Sequence, residues 1–185
     1  MTYGGPNGVS TTVPARAYTQ DTAGVPGVSE MGDRFGHAVS VGDTDQDGYA
    51  DIVIGASYET GSDAAATWSG SVTVLRGSAT GVTTTGSKLL TQDSAGVPST
   101  SEKDDHFGSA VNVIDTDKDG KAEVYIGGYG EDAYAGRVWK LKTDATGVTG
   151  TGATSYGLND LGGPAGRAHF GFAFGSGGND LSLRS

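Results

Sequence analysis

The sequence predicts an all-β chain of tandem four-stranded antiparallel units, on three observations. An acidic loop, Asp43-Thr44-Asp45-Gln46-Asp47-Gly48-Tyr49-Ala50-Asp51, recurs 72 residues on as Asp115-Thr116-Asp117-Lys118-Asp119-Gly120-Lys121-Ala122-Glu123. Apolar residues alternate with period two or fall in short runs ended by glycine, and no stretch sustains the i, i+3, i+4 spacing of a helix. Glycine is abundant, 33 of 185 residues, with 5 prolines and no Gly-X-Y period, a composition of many turns rather than of collagen or disorder.

Taken in order, residues 1–20 carry Gly8-Val9-Ser10-Thr11 and Tyr18-Thr19-Gln20, which match Gly81-Val82-Thr83-Thr84 and Leu90-Thr91-Gln92. They are expected to be the outer strands of a partial unit. Residues 21–92 make the first complete unit. Its first strand alternates through Phe35, His37, Val39 and Val41 and ends at the acidic loop; its second is the compact run Ile52-Val53-Ile54. Val72 and Val74 mark the third strand, and the fourth is an edge-like piece ending Lys88-Leu89-Leu90-Thr91-Gln92.

Residues 93–157 repeat that plan with Phe107, Ser109, Val111 and Val113, then Val124-Tyr125-Ile126, then Val138 to Leu141, then Thr154-Ser155-Tyr156. The repeat extends outside the strands: Thr19-Gln20-Asp21-Thr22-Ala23-Gly24-Val25-Pro26 returns as Thr91-Gln92-Asp93-Ser94-Ala95-Gly96-Val97-Pro98. Residues 158–185 begin the plan again at Phe170-Gly171, with Phe172 and Phe174 on an expected first strand of another partial unit. There Gly178, Asp180 and Ser182 fall where the acidic loop would stand, so no third loop is expected.

Tandem units of four antiparallel strands with dense turns describe β-propeller blades. The inventory amounts to about three blade equivalents, whereas closed propellers have about four to eight. An open wedge exposes apolar faces and strand edges, so a homo-oligomer is expected to complete the ring, with a dimer of six blades favoured.

The two acidic loops predict bound Ca²⁺. Carboxylates at positions 1, 3, 5 and 9, a carbonyl from position 7 and a glycine at position 6 let one short stretch of backbone wrap a hard cation in oxygen. The expected ligands are Asp43, Asp45, Asp47, Tyr49 and Asp51 in the first loop, and Asp115, Asp117, Asp119, Lys121 and Glu123 in the second. An EF-hand is excluded because the loop is shorter than twelve residues and no helix flanks it. Calcium is favoured over magnesium because an all-protein cage suits the larger, less geometrically demanding ion.

Composition removes other classes. A net charge of −10 without a basic stripe argues against nucleic acid. There is no cysteine, so disulfides, thiolate metal sites and cysteine nucleophiles are excluded. No apolar run reaches membrane-spanning length, and Met1-Thr2-Tyr3-Gly4 carries no signal-peptide pattern. Calcium sites of this kind fill where the ion is millimolar, which points to an extracellular or cell-surface setting. His37, His106 and His169 all flank Phe-Gly pairs, and no Gly-x-Ser-x-Gly elbow occurs, so neither a catalytic residue nor an enzyme is expected.

Phe35-Gly36, the loop 43–51 and Gly55-Ala56-Ser57 resemble the FG-GAP repeat of the integrin α-subunit β-propeller. Phe107-Gly108, the loop 115–123 and Gly127-Gly128-Tyr129 resemble a second copy, with Ser57 and Tyr129 departing from the family's proline. The resemblance implies a calcium-stabilised structural or recognition module with an adhesion-like role. Partners are expected on the face opposite the calcium loops, where the units differ most: an insertion over 61–69 in the first against the shorter 130–135 in the second. Tyr58, Trp68, Tyr129 and Tyr134 would meet a protein or glycan ligand there. The alternatives are a carbohydrate-binding, lectin-like propeller and the non-catalytic scaffold of a secreted hydrolase.

Overall fold

The structure is a computed structural model, which describes residues 1–5, 8–61, 63–164 and 166–175. A small hairpin pairs β1 (Gly4–Gly5) with β2 (Gly8–Val9). The first large sheet follows as β3 (Ala38–Gly42), β4 (Asp51–Ala56), β5 (Ser71–Arg76) and β6 (Thr83–Leu90). The second is β7 (Phe107–Ile114), β8 (Glu123–Gly128), β9 (Arg137–Asp144) and β10 (Gly147–Gly157). Each large sheet is an antiparallel meander in chain order. The described part of the chain is thus all-β, its four-stranded sheets of the kind that form propeller blades.

Period-two alternation decides which side chains each sheet buries. Val53, Val72 and Val74 project from one face of the first sheet and meet Phe107, Val111, Val124, Ile126, Trp139 and Leu141 of the second. At the centre Phe107 meets Trp139 edge-on with ring centroids 5.1 Å apart, both rings fully buried. The other face of the first sheet carries Ile54 and Leu75, with Phe35 and Ile52 half-buried beside them. Val39 and Val41 lie exposed on the same face. These residues are the repeat counterparts of the face that is buried in the second sheet.

Two glycines show why the Phe-Gly turn of one unit needs the Gly-Ala stretch of the unit before it. A Cβ on Gly55 would overlap the Gly108 carbonyl oxygen, and one on Gly127 would overlap that of Gly171. The turn therefore rests directly on the second strand of the preceding unit. The parallel bridges Gly70 to Phe107 and Gly136 to Phe170 fix the same step twice.

Three expected elements differ. In the first unit Phe35 and Gly36 form a turn, and the strand begins only at Ala38. Phe107 enters its strand because it pairs with Gly128 and bridges to Gly70 of the preceding sheet, and no described residue gives Phe35 such a bridge. Among the described residues of 1–20 the strands are β1 and β2 alone and the rest is loop, where outer strands were expected, with Ser10 and Arg16 donating N–H groups back to Tyr3 and Met1. Phe170 makes its bridge, but the described residues 170–175 form no strand, and Gly178, Asp180 and Ser182 lie outside the described residues.

Candidate functional site

The acidic loops join β3 to β4 and β7 to β8, at one end of each sheet, and they are built alike. The carboxylate of Asp43 accepts the backbone N–H groups of Gln46 at 2.7 Å and Gly48 at 3.0 Å. Asp115 accepts those of Lys118 at 2.7 Å and Gly120 at 2.9 Å. The chain can turn back on the first carboxylate because Gln46 and Lys118 both have φ 63, with Gly48 and Gly120 also left-handed.

The ninth residue closes each loop from inside the protein. Asp51 is fully buried and accepts the Thr44 N–H at 3.1 Å, the Thr44 hydroxyl and the Gly77 N–H at 2.7 Å. Glu123 accepts the Thr116 N–H at 3.0 Å and hydroxyl at 2.7 Å. The longer side chain thus makes the same pair of threonine contacts as the aspartate.

Oxygens of Asp43, Asp45 and Asp51 come within 4.8 Å of one another, as do those of Asp115, Asp117 and Glu123. Asp47 and Asp119 stand apart from these groups and accept the N–H of Tyr49 and of Lys121, each at 2.8 Å. Tyr49 and Lys121, expected to supply carbonyls, therefore also brace the loop through their amides. Three converging carboxylates held by backbone amides are a donor set that fits a hard divalent cation.

The electrostatics match. Burial pushes the Asp43 carboxyl up, but the amides of Gly48 and Gln46 outweigh it and hold it below its ordinary value. Burial and the neighbouring Asp51 charge raise Asp45. Glu123 is held down because the Thr116 donors and Lys140 overcome its burial. Two basic side chains reach these carboxylates: Arg76 donates to Asp45 and lies 3.6 Å from Asp51, and Lys140 lies 3.2 Å from Glu123. Sequence reading passed over both because they stand on strands far from the loops in the chain.

The FG-GAP repeat family model matches residues 35–75 and 107–139, the two stretches that contain these loops. The chain carries two FG-GAP repeats. Among curated proteins none matches it significantly. In each FG-GAP match the segment runs from the Phe-Gly turn through the acidic loop and second strand into the third, so the family signature and the candidate metal centre are one stretch of chain.

At the opposite ends of the sheets the two FG-GAP units bring together the aromatic residues singled out above. Tyr58 lies 5.6 Å from Trp68 and 4.6 Å from His106, and His106 stacks on Tyr129 at 4.5 Å. Tyr134 and Phe172 lie 6.3 Å and 5.3 Å from Tyr129, and the Tyr58 and Tyr129 hydroxyls are 3.2 Å apart. Arg34 caps the Tyr58 ring at 4.0 Å. Trp68 and Phe172 remain open to solvent. Arg34, His106 and His169 each precede a Phe-Gly pair and share a left-handed backbone, φ 58, 57 and 51, which turns their side chains to this surface. That recurrence was visible in the sequence; the contact was not.

His106 is buried, with Nδ1 3.0 Å from the Ser57 carbonyl, and burial lowers its pKa. The ring is packed between Tyr58 and Tyr129. A further repeated polar pair lies beneath: Gln20 donates to Glu59, and Gln92 donates to Glu131 at 2.7 Å. Oxygens of Glu30, Asp33 and Glu59 also approach one another, and burial, with the charges of Asp33 and Glu30, raises Glu59 to about 7.

Proposed function

We propose that this FG-GAP protein is a calcium-binding β-propeller module serving a structural or recognition role outside the cell, without chemistry of its own. The observation that carries the calcium reading is the convergence of the carboxylates at positions 1, 3 and 9 in both loops, on matching backbone turns. A divalent cation there supplies positive charge and a fixed coordination geometry. The residues do the rest: Asp43 and Asp115 pin the turn, Asp51 and Glu123 tie it to the sheet, and the first and second strands keep their register.

Because an unfolded chain lacks the cage, the ion stabilises the fold by about 2.7 kcal/mol per site at a hundredfold excess over Kd. Thermal melts in EDTA and in millimolar calcium test this directly. A rise in Tm with calcium, reduced by Asp45→Ala or Asp117→Ala and removed by both, supports the reading; superimposable melts overturn it.

Support for recognition comes from the aromatic surface at the far ends of the sheets, where Trp68 is 45% exposed on a left-handed backbone. Rigid, amphipathic rings of this kind make contact area at small entropic cost. Glycan-array binding lost on Trp68→Ala would favour a lectin-like role, and protein binding lost on the same change an adhesion-like one. Self-association through the open face of the first sheet belongs to the same proposal. A cavity of ≈ 540 Å³ there is lined by Tyr3, Phe35, Val39, Ile52 and Leu75 among others, and the counterpart face of the second sheet is buried by an FG-GAP sheet within the chain. Light scattering at micromolar concentration, with Val41→Asp as control, reads that out: a monomer unaffected by the change rejects it.

A further inference from the structure

Arg76 is the last residue of β5, and its guanidinium makes contacts in two directions. Nη1 donates to Asp45 and approaches Asp51 at 3.6 Å, so it serves two of the three carboxylates that converge in the first loop. Nη2 donates to the carbonyl of Thr146 at 2.9 Å, in the turn between β9 and β10 of the second sheet. The guanidinium lies over Gly147, whose missing Cβ and left-handed φ of 97 leave it room. The side chain is only 16% exposed, so this is a seated group rather than a solvated one.

The second loop is arranged differently. The repeat register that matches Leu75 with Leu141 sets Lys142 opposite Arg76, and Lys142 is exposed. The cation that reaches the second loop is Lys140, whose Nζ lies 3.2 Å from Glu123 and over the Tyr125 ring. Lysine offers a single point charge, whereas the planar guanidinium holds two partners at once.

We propose that Arg76 is the resident counter-cation of the first acidic loop, that a divalent metal must displace it, and that its release breaks the Thr146 link, coupling metal at this loop to the junction between the sheets. The inference rests on the calcium reading above. Nη1 lies against Oδ2 of both Asp45 and Asp51, and a dication taking those same oxygens competes with it, because like charges at contact repel strongly in a half-buried site. Coupling of this kind is reciprocal: whatever loosens the junction frees the loop for metal.

The test is calorimetric titration of calcium chloride into the full chain and three variants, with amide exchange followed over residues 144–149. Arg76→Gln should tighten one binding event by about tenfold, the value of one strong charge-assisted contact, and leave the other unchanged. Lys140→Gln should alter only the other event. In the unaltered protein calcium should speed exchange over 144–149, and in Arg76→Gln it should no longer do so. Arg76→Lys, which keeps the charge but not the second donor, should bind calcium nearly as the unaltered protein does while losing the exchange response. Two binding events that Arg76→Gln leaves unchanged or weakens would overturn the inference while the calcium reading stands. No binding at either loop would overturn the calcium reading and this inference with it.

Discussion

Removing the Asp51 carboxylate should cost more than removing any other acid of its loop, and should do so with no metal present. Asp51 is fully buried and receives the Thr44 N–H, the Thr44 hydroxyl and the Gly77 N–H, with Arg76 at 3.6 Å. Asp51→Ala strands these donors away from water, at about 1–3 kcal/mol for each that finds no new partner. Allowing the Thr44 hydroxyl to turn elsewhere, the loss is about 3–5 kcal/mol. For a chain of this size that lowers Tm by about 10 °C. Asp47→Ala is the control: Asp47 is exposed and accepts only the Tyr49 N–H at 2.8 Å, so its loss should stay within about 1 kcal/mol. Thermal and urea melts of both variants in EDTA make the comparison. Melting temperatures within about 2 °C of each other would refute the argument that the ninth residue is a buried fastening before it is a ligand.

Phe107→Ala should destabilise by about 3–5 kcal/mol, because the ring is fully buried against Trp139 between the sheets, while Phe35→Ala, at its half-buried counterpart, should cost less than half as much in urea melts. Gly127→Ala should lower stability by at least about 1–3 kcal/mol, since the new Cβ meets the Gly171 carbonyl oxygen, read by the same melts. Stability should also fall as pH rises towards neutrality. Burial raises Glu59 from 4.5 to about 7, and burial with the Glu131 charge raises Asp105 from 3.8 to about 7. An acid with a raised folded pKa contributes fully below its unfolded value and loses that contribution as pH climbs to the folded one, here between about pH 4 and 7. Glu59→Gln should flatten part of that slope in melts taken from pH 5 to 8.

The period-two runs and the acidic loops were legible because they are local: a strand's alternation and a turn's hydrogen bonds are set by residues within a few positions of one another. That is why Ile52-Val53-Ile54 and Val124-Tyr125-Ile126 lie within strands β4 and β8, and why the two loops adopt the same turn. What escaped was set by partners distant in the chain. The first strand of the first unit starts late because only a preceding sheet would extend Phe35.

By itself the sequence determined the repeat, the alternating faces of the first strands, and an acidic turn that folds onto its first carboxylate. Tertiary structure alone decided that Arg76 reaches Asp45 and Thr146 at once, that His106 stacks among tyrosines from both units, and that one apolar face is buried while its counterpart is open. The physical reason is range. Backbone sterics and neighbouring hydrogen bonds act along the chain, whereas burial and charge pairing depend on which surfaces the packed sheets bring within a few ångströms.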